Sequence, residues 1–146
     1  MYGRLLMMTG LSFVAMYLLM YAMVDRWDNV LPNLNKLYMA GLMAAPMVLI
    51  ELGLMGAMYP NRRANRWIMA GAAAVLVVLF ALIRMQAGIG DHQFLKAMIP
   101  HHSSAILMCG RAPISDPEIR HLCKSIIESQ QREIDQMKDI LARQAR

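Results

Sequence analysis

The sequence predicts an all-α protein with three transmembrane helices followed by an antiparallel helical hairpin. Charge distribution is the first indication, because residues 1–90 carry only 10 of the 25 charged side chains. Three long apolar stretches within those residues are the second. Heptad spacing of apolar side chains in residues 91–146 is the third. We therefore expect a membrane anchor at 1–90 and a separate helical domain at 91–146.

The three predicted spans cover about residues 5–23, 37–59 and 67–85. Each is close to the roughly 20 residues needed to cross the hydrocarbon core of a bilayer. The first has a single basic residue before it, Arg4, and no small-residue cleavage site after it. We therefore interpret it as a retained anchor and not as a signal peptide.

Loop charge predicts the orientation of these spans. The loop at 60–66 contains three arginines and no acid, whereas the loop at 25–36 is neutral. The arginine-rich loop should be cytoplasmic. This places the N-terminus in the cytoplasm and residues 91–146 outside it, which in a Gram-negative cell means an inner-membrane protein with a periplasmic hairpin. The net charge of +5 is then mainly a topology signal, and no basic, aromatic-rich stripe indicates nucleic-acid binding.

The second predicted span carries one acid, Glu51, within a row of methionines at four-residue spacing. With 16 methionines in the chain, packing is the favoured interpretation of that row over a soft-metal path. An ionisable group inside a span is a functional candidate by default. Glu51 can equally be protonated or paired with another subunit.

Two helices, at about 91–111 and 117–144, make up the predicted hairpin. Asp91 can cap the first, and Asp116 with Pro117 can start the second. Along each helix, a row of side chains recurs at intervals of alternately four and three residues and therefore lies on one side of the helix. We call each row a seam. The seams comprise Phe94, Met98, His101, Ala105, Met108 and Ala112, and then Ile119, Cys123, Ile126, Gln130, Glu133, Met137 and Ile140.

Soft and borderline metal ligands are concentrated on these seams. Met98, His101 and His102 are related by i, i+3 and i+4 and can converge, opposite the carboxylate of Glu133. Imidazole and thioether together favour Cu(I), although zinc is possible. The alternative is that His101 is a core histidine hydrogen-bonded to Glu133 or Gln130, with methionines filling the core. The candidate ligands are Met98, His101, His102, Met108, Glu133 and Met137.

Four further residues are secondary metal or redox candidates. Cys109 and Cys123 can be paired, free or metal-bound. His92 and His121 lie off the seam, and are either solvent-facing or secondary ligands at a subunit contact.

The hairpin resembles a known family. The residues that carry the resemblance are Asp91, Phe94, Met98, His101-His102, Ala105-Ile106 and Met108, followed by Ile126-Ile127, Gln130, Glu133-Ile134 and Met137. Over residues 91–141 they resemble the domain of unknown function 305 family, whose ferritin-like, CopM-type members are periplasmic copper binders. The resemblance implies half of a ferritin-like four-helix bundle. It also implies copper binding through Met98, His101, His102 and Met108, with Met137 as a further ligand.

A hairpin of about 55 residues has little core of its own. We therefore expect a homodimer that makes a four-helix bundle, or docking on a larger membrane complex. The leading hypothesis is a membrane-anchored, extracytoplasmic copper-binding protein for tolerance, storage or delivery, without enzymatic turnover. The alternative is an accessory or assembly subunit of a membrane complex, for example a respiratory one. A di-iron enzyme is disfavoured because such sites use several glutamates on facing helices, and Glu128 and Glu133 are too few within one chain.

Overall fold

The computed structural model of the protein describes residues 1–145. Arg146, the last residue of the predicted outer domain, lies outside them. Five α-helices and no β-strand occur in the described chain, so the prediction of an all-α protein is confirmed. The helices are α1 (Tyr2–Leu19), α2 (Leu34–Met55), α3 (Arg62–Met85), α4 (Asp91–Arg111) and α5 (Pro117–Gln144). Short 3₁₀ turns occur at Trp27–Asn29 and Gly56–Met58.

The chain divides into two compact units. The first, here called the apolar unit, comprises Met1–Met20 and Asn35–Ala87. The second, here called the C-terminal unit, comprises Tyr21–Leu34 and the residues from Gly88 onward. Residues 21–34, which connect α1 to α2, therefore belong to the same unit as α4 and α5.

Three helices are long and apolar enough to cross a membrane. They are Tyr2–Leu19, α2 extended by its 3₁₀ turn to Met58, and Arg62–Met85. None of the residues in the most apolar stretch of α3 is buried within the protein. Such exposed apolar helices are compatible with membrane insertion, where lipid covers the side chains.

One end of the apolar unit is held by a group of polar side chains. Asn61 caps α3 by accepting hydrogen bonds from the N–H groups of Arg63 and Ala64. Asn65 donates to the Tyr59 carbonyl at 3.1 Å and accepts from the Tyr2 hydroxyl at 2.7 Å. These bonds tie the start of α1 to the start of α3.

Glu51, the predicted intramembrane candidate, lies on α2 and is partly buried. Its carboxylate accepts a hydrogen bond of 3.1 Å from the Tyr59 hydroxyl. The carboxylate therefore has a partner within its own chain. Tyr59 itself is buried with Leu5, Val48 and Leu52.

Helices α4 and α5 pack closely around a small apolar core, formed by Leu95, Ile99, Ile134 and Met137. Residue pairs in contact run in opposite directions along the two helices, since position 102 meets 133 and position 109 meets 123. Asp116 caps α5 by accepting hydrogen bonds from the N–H groups of Glu118 and Ile119. Pro117 occupies the first turn of α5, where its missing N–H costs nothing.

The connection at 21–34 covers one side of α4. The backbone N–H of Asp25 donates to the Ser103 hydroxyl at 2.8 Å, and that hydroxyl donates to the Asp25 carboxylate. Leu31 packs on the apolar core. Lys138 on α5 donates to Asp28 at 2.7 Å, and this hydrogen bond lowers the pKa of the Asp28 carboxyl. The sequence reasoning missed this cover, because residues 21–34 show no periodic pattern.

The residues of α4 that are packed against the rest of the unit are not those of the predicted seam, but mostly their immediate neighbours in sequence. Phe94 and Met108, expected in the seam, are 51% and 57% exposed, and His101 is also exposed. The buried side chains are instead Leu95, Ile99, Pro100, His102 and Ser103. The physical reason is that α4 is covered on two adjacent sides, by α5 and by residues 21–34, which rotates its buried face by about 100°.

A disulfide joins Cys109 and Cys123 near the turn between α4 and α5, with their Cα atoms 5.1 Å apart. Neither sulfur is therefore a free thiolate ligand, and the alternatives of free or metal-bound cysteines do not apply to this structure.

Replacing Cys109 and Cys123 together with serine should lower the free energy of unfolding of the α4–α5 pair by about 3 kcal/mol, because the crosslink restricts a loop of roughly 15 residues. Hydrogen exchange on the full chain in detergent measures this. About 100-fold faster exchange of the α4 and α5 core amides is expected. The exposed control Ser125→Ala should leave exchange unchanged, and equal protection in both variants would contradict the assignment of a stabilising crosslink.

Candidate metal centre

The candidate centre is built around His102, which is the most buried histidine in the described chain at 8% exposure. Its ring lies at the α4–α5 contact. The Nδ1 atom is 2.9 Å from the carbonyl oxygen of Met98, one turn earlier on the same helix. A carbonyl oxygen can only accept, so Nδ1 must carry the proton. Nε2 is then the atom left for a metal or for a second proton.

The Nε2 atom of His102 lies 2.7 Å from Oε2 of Glu133 on α5. Two acceptors do not approach this closely without a proton between them. Either the imidazole is protonated and pairs with the carboxylate, or the neutral ring accepts from a protonated carboxyl. In both cases one proton occupies the position that a metal bound to Nε2 would take.

Glu133 gives this position an opening to solvent. Its side chain is 51% exposed, whereas that of His102 is 10% exposed. An ion can therefore approach from the carboxylate side, while the imidazole stays fixed within the helix pair. Fixing Nδ1–H on a backbone carbonyl is the arrangement by which proteins orient metal-binding histidines.

Two methionines, Met98 and Met137, each lie one helical turn from the contact between His102 and Glu133. Met98 is one turn before His102 on α4, and Met137 is one turn after Glu133 on α5. Because the two helices run in opposite directions, both methionines are displaced toward the same end. Met137 belongs to the apolar core, and Met98 packs against that core. Imidazole and thioether are the donor types that a borderline or soft cation prefers.

His101 and Met108 do not join this group. Adjacent residues on a helix are about 100° apart, so His101 faces outward while His102 faces α5. The centroids of the two imidazole rings are 6.1 Å apart, with their planes at 67°. Met108 lies more than a turn further along α4 and is exposed.

The secondary candidates are not brought together either. His92 and His121 are both exposed. Cys109 and Cys123 are consumed in the disulfide. Within residues 1–145, no group of three or more histidine, cysteine, aspartate or glutamate side chains could hold a metal ion. A site at His102 would therefore need the methionine sulfurs or a further ligand from outside the chain.

Removing the carboxylate should destabilise the helix pair. Glu133→Ala is expected to cost about 1 kcal/mol, because Nε2 of the buried ring loses its partner, although exposure of Glu133 limits the loss. Glu128→Ala removes an exposed glutamate from the same helix and should change stability by less than about 0.5 kcal/mol. Hydrogen exchange of the α4 and α5 amides compares the two. Equal effects would show that the contact between His102 and Glu133 contributes nothing.

The chain is similar to proteins whose roles are not described by their names. It is 36% identical over 145 residues to a protein of Acanthamoeba polyphaga mimivirus called "Uncharacterized protein L153", covering 95% of this chain and 91% of that protein. No solved structure matches the chain significantly. Residues 55–141 match the family described as "Domain of unknown function (DUF305)". The match includes α3 as well as α4 and α5, and because it spans more than half of the sequence, the chain belongs to the DUF305 family.

Proposed function

We propose that this protein is a membrane-anchored copper-binding protein that holds the metal on the α4–α5 hairpin, outside the cytoplasm, for copper tolerance, storage or delivery. The observation that carries the proposal is the fixed orientation of His102. Its Nδ1 is committed to the Met98 carbonyl, and its Nε2 is directed at a half-exposed carboxylate.

The donor set favours copper as the cargo. Thioether sulfur from Met98 and Met137, combined with imidazole nitrogen, suits Cu(I) better than harder ions. Zinc can compete through the imidazole and the carboxylate of Glu133. Binding at Nε2 releases the proton shared with Glu133, so copper affinity should fall in acid.

The membrane orientation is part of the proposal. The arginine-rich loop at 60–66 favours a cytoplasmic position, and three spans then carry α4 and α5 to the opposite side. The disulfide between Cys109 and Cys123 supports this orientation, because such bonds persist in oxidising compartments and are rare in the cytosol. In a Gram-negative cell this describes an inner-membrane protein with a periplasmic hairpin.

A titration of the full chain in detergent with Cu(I), in competition with a chromophoric chelator, tests the proposal. His102→Ala should weaken binding by about 10- to 100-fold or more, because the oriented imidazole is lost. Replacing Met98 and Met137 together with leucine keeps the side-chain volume and should also weaken binding.

His121→Ala is the matched control, since that histidine is exposed and lies on α5. It should bind Cu(I) as the wild type does. The proposal fails if the wild-type chain does not bind Cu(I) more tightly than micromolar. It also fails if His102→Ala and His121→Ala behave alike.

A further inference from the structure

One side of α4 is covered neither by α5 nor by residues 21–34. It carries Phe94, His101 and Met108, which follow one another at intervals of seven residues and are all exposed. Ala97 and Ala105 lie between them on the same side. We call this set of five residues the open face. Apolar side chains of this size exposed on a helix outside the apolar unit indicate an interaction surface.

The order of residues along the open face is nearly the same from either end. Helix α4 runs from Asp91 to Arg111, so His101 is its central residue. Large apolar side chains, Phe94 and Met108, lie seven residues to either side of it. Alanines lie four residues to either side. A two-fold interface requires a surface that is complementary to itself, and this order provides one.

The dimensions also fit a second copy. A helix of 21 residues is about 32 Å long. Two packed helices present a face roughly 20 Å wide. Their product, about 640 Å², lies at the lower end of the roughly 600–1,000 Å² that each partner buries in a specific interface. Ile119 and Leu122 are further apolar side chains exposed on α5.

We propose that the open face binds a second copy of this chain about a two-fold axis at His101, and that the two His101 side chains form a metal site shared between the copies. As the central residue, His101 meets its own counterpart whether the two α4 helices run parallel or antiparallel. Two facing imidazoles are suitable ligands for copper or zinc. The two-fold contact does not depend on the function proposed above, whereas the choice of copper as the shared ion rests on it.

Native mass spectrometry of the full chain released from detergent micelles tests the contact. The wild type should appear at twice the chain mass of 16.5 kDa. Phe94→Glu should raise the dimer dissociation constant at least about tenfold, because it places charge at the centre of each half of the contact. His92→Glu is the matched control and should remain a dimer. His92 is exposed and lies nine residues before His101, which places it on the opposite side of α4.

Copper stoichiometry tests the shared site. With Cu(I) alone as the probe, the wild-type dimer should carry one ion per chain plus one shared ion. His101→Ala should lose the shared ion and keep the others, whereas His102→Ala should lose the others and keep the shared ion. His101 is exposed, so its replacement does not threaten folding.

A wild-type chain that stays monomeric with and without Cu(I) overturns the inference, as does a dimer unaffected by Phe94→Glu. A dimer whose copper content is the same in wild type and His101→Ala overturns the shared site.

A monomer that binds copper through His102 overturns only this inference and leaves the proposed function intact. A dimer that holds a single ion, lost in His101→Ala, supports the inference and contradicts the proposed function.

Discussion

The contact between His102 and Glu133 is the interaction on which the candidate metal centre depends. It joins α4 to α5 at 2.7 Å, and the backbone carbonyl of Met98 fixes the other ring nitrogen. Those two bonds decide which nitrogen carries the fixed proton, which nitrogen faces the carboxylate, and from which side an ion can enter. A metal ion at Nε2 would have to displace the proton that now lies between the ring and the carboxylate.

The rest of the C-terminal unit holds that contact in place. At one end, the disulfide between Cys109 and Cys123 fixes the relative position of the two helices. On the outer side of α4, Asp25 and Ser103 attach the connection at 21–34. The apolar core between them is small and consists mainly of the buried side chains Leu95, Ile99, Ile134 and Met137. The covalent and polar attachments therefore compensate for a limited apolar core.

Sequence reasoning predicts the class of the fold well, because helix signals are local. Asp116 and Pro117 mark the start of α5, and the length of the apolar stretches identifies three helices able to span a membrane. The sequence pattern alone does not determine which side of α4 is packed. The stripe Phe94, His101, Met108 and the stripe Leu95, His102, Cys109 both recur every seven residues, and they differ only by a rotation of about 100°. The long-range contact with residues 21–34, which have no periodic pattern, makes the second stripe the buried one. The histidine that contacts Glu133 is therefore His102, and not His101 as the seam predicts.

X-ray absorption at the copper edge of the loaded full chain tests the central claim most directly. Copper bound at this site should show both imidazole nitrogen and thioether sulfur among its ligands. With His101→Ala in both proteins, which excludes copper at that exposed imidazole, His102→Ala should lower the amount of bound copper and remove its imidazole contribution. A copper environment of light atoms alone, or a spectrum unchanged by His102→Ala, would contradict a copper site at this imidazole.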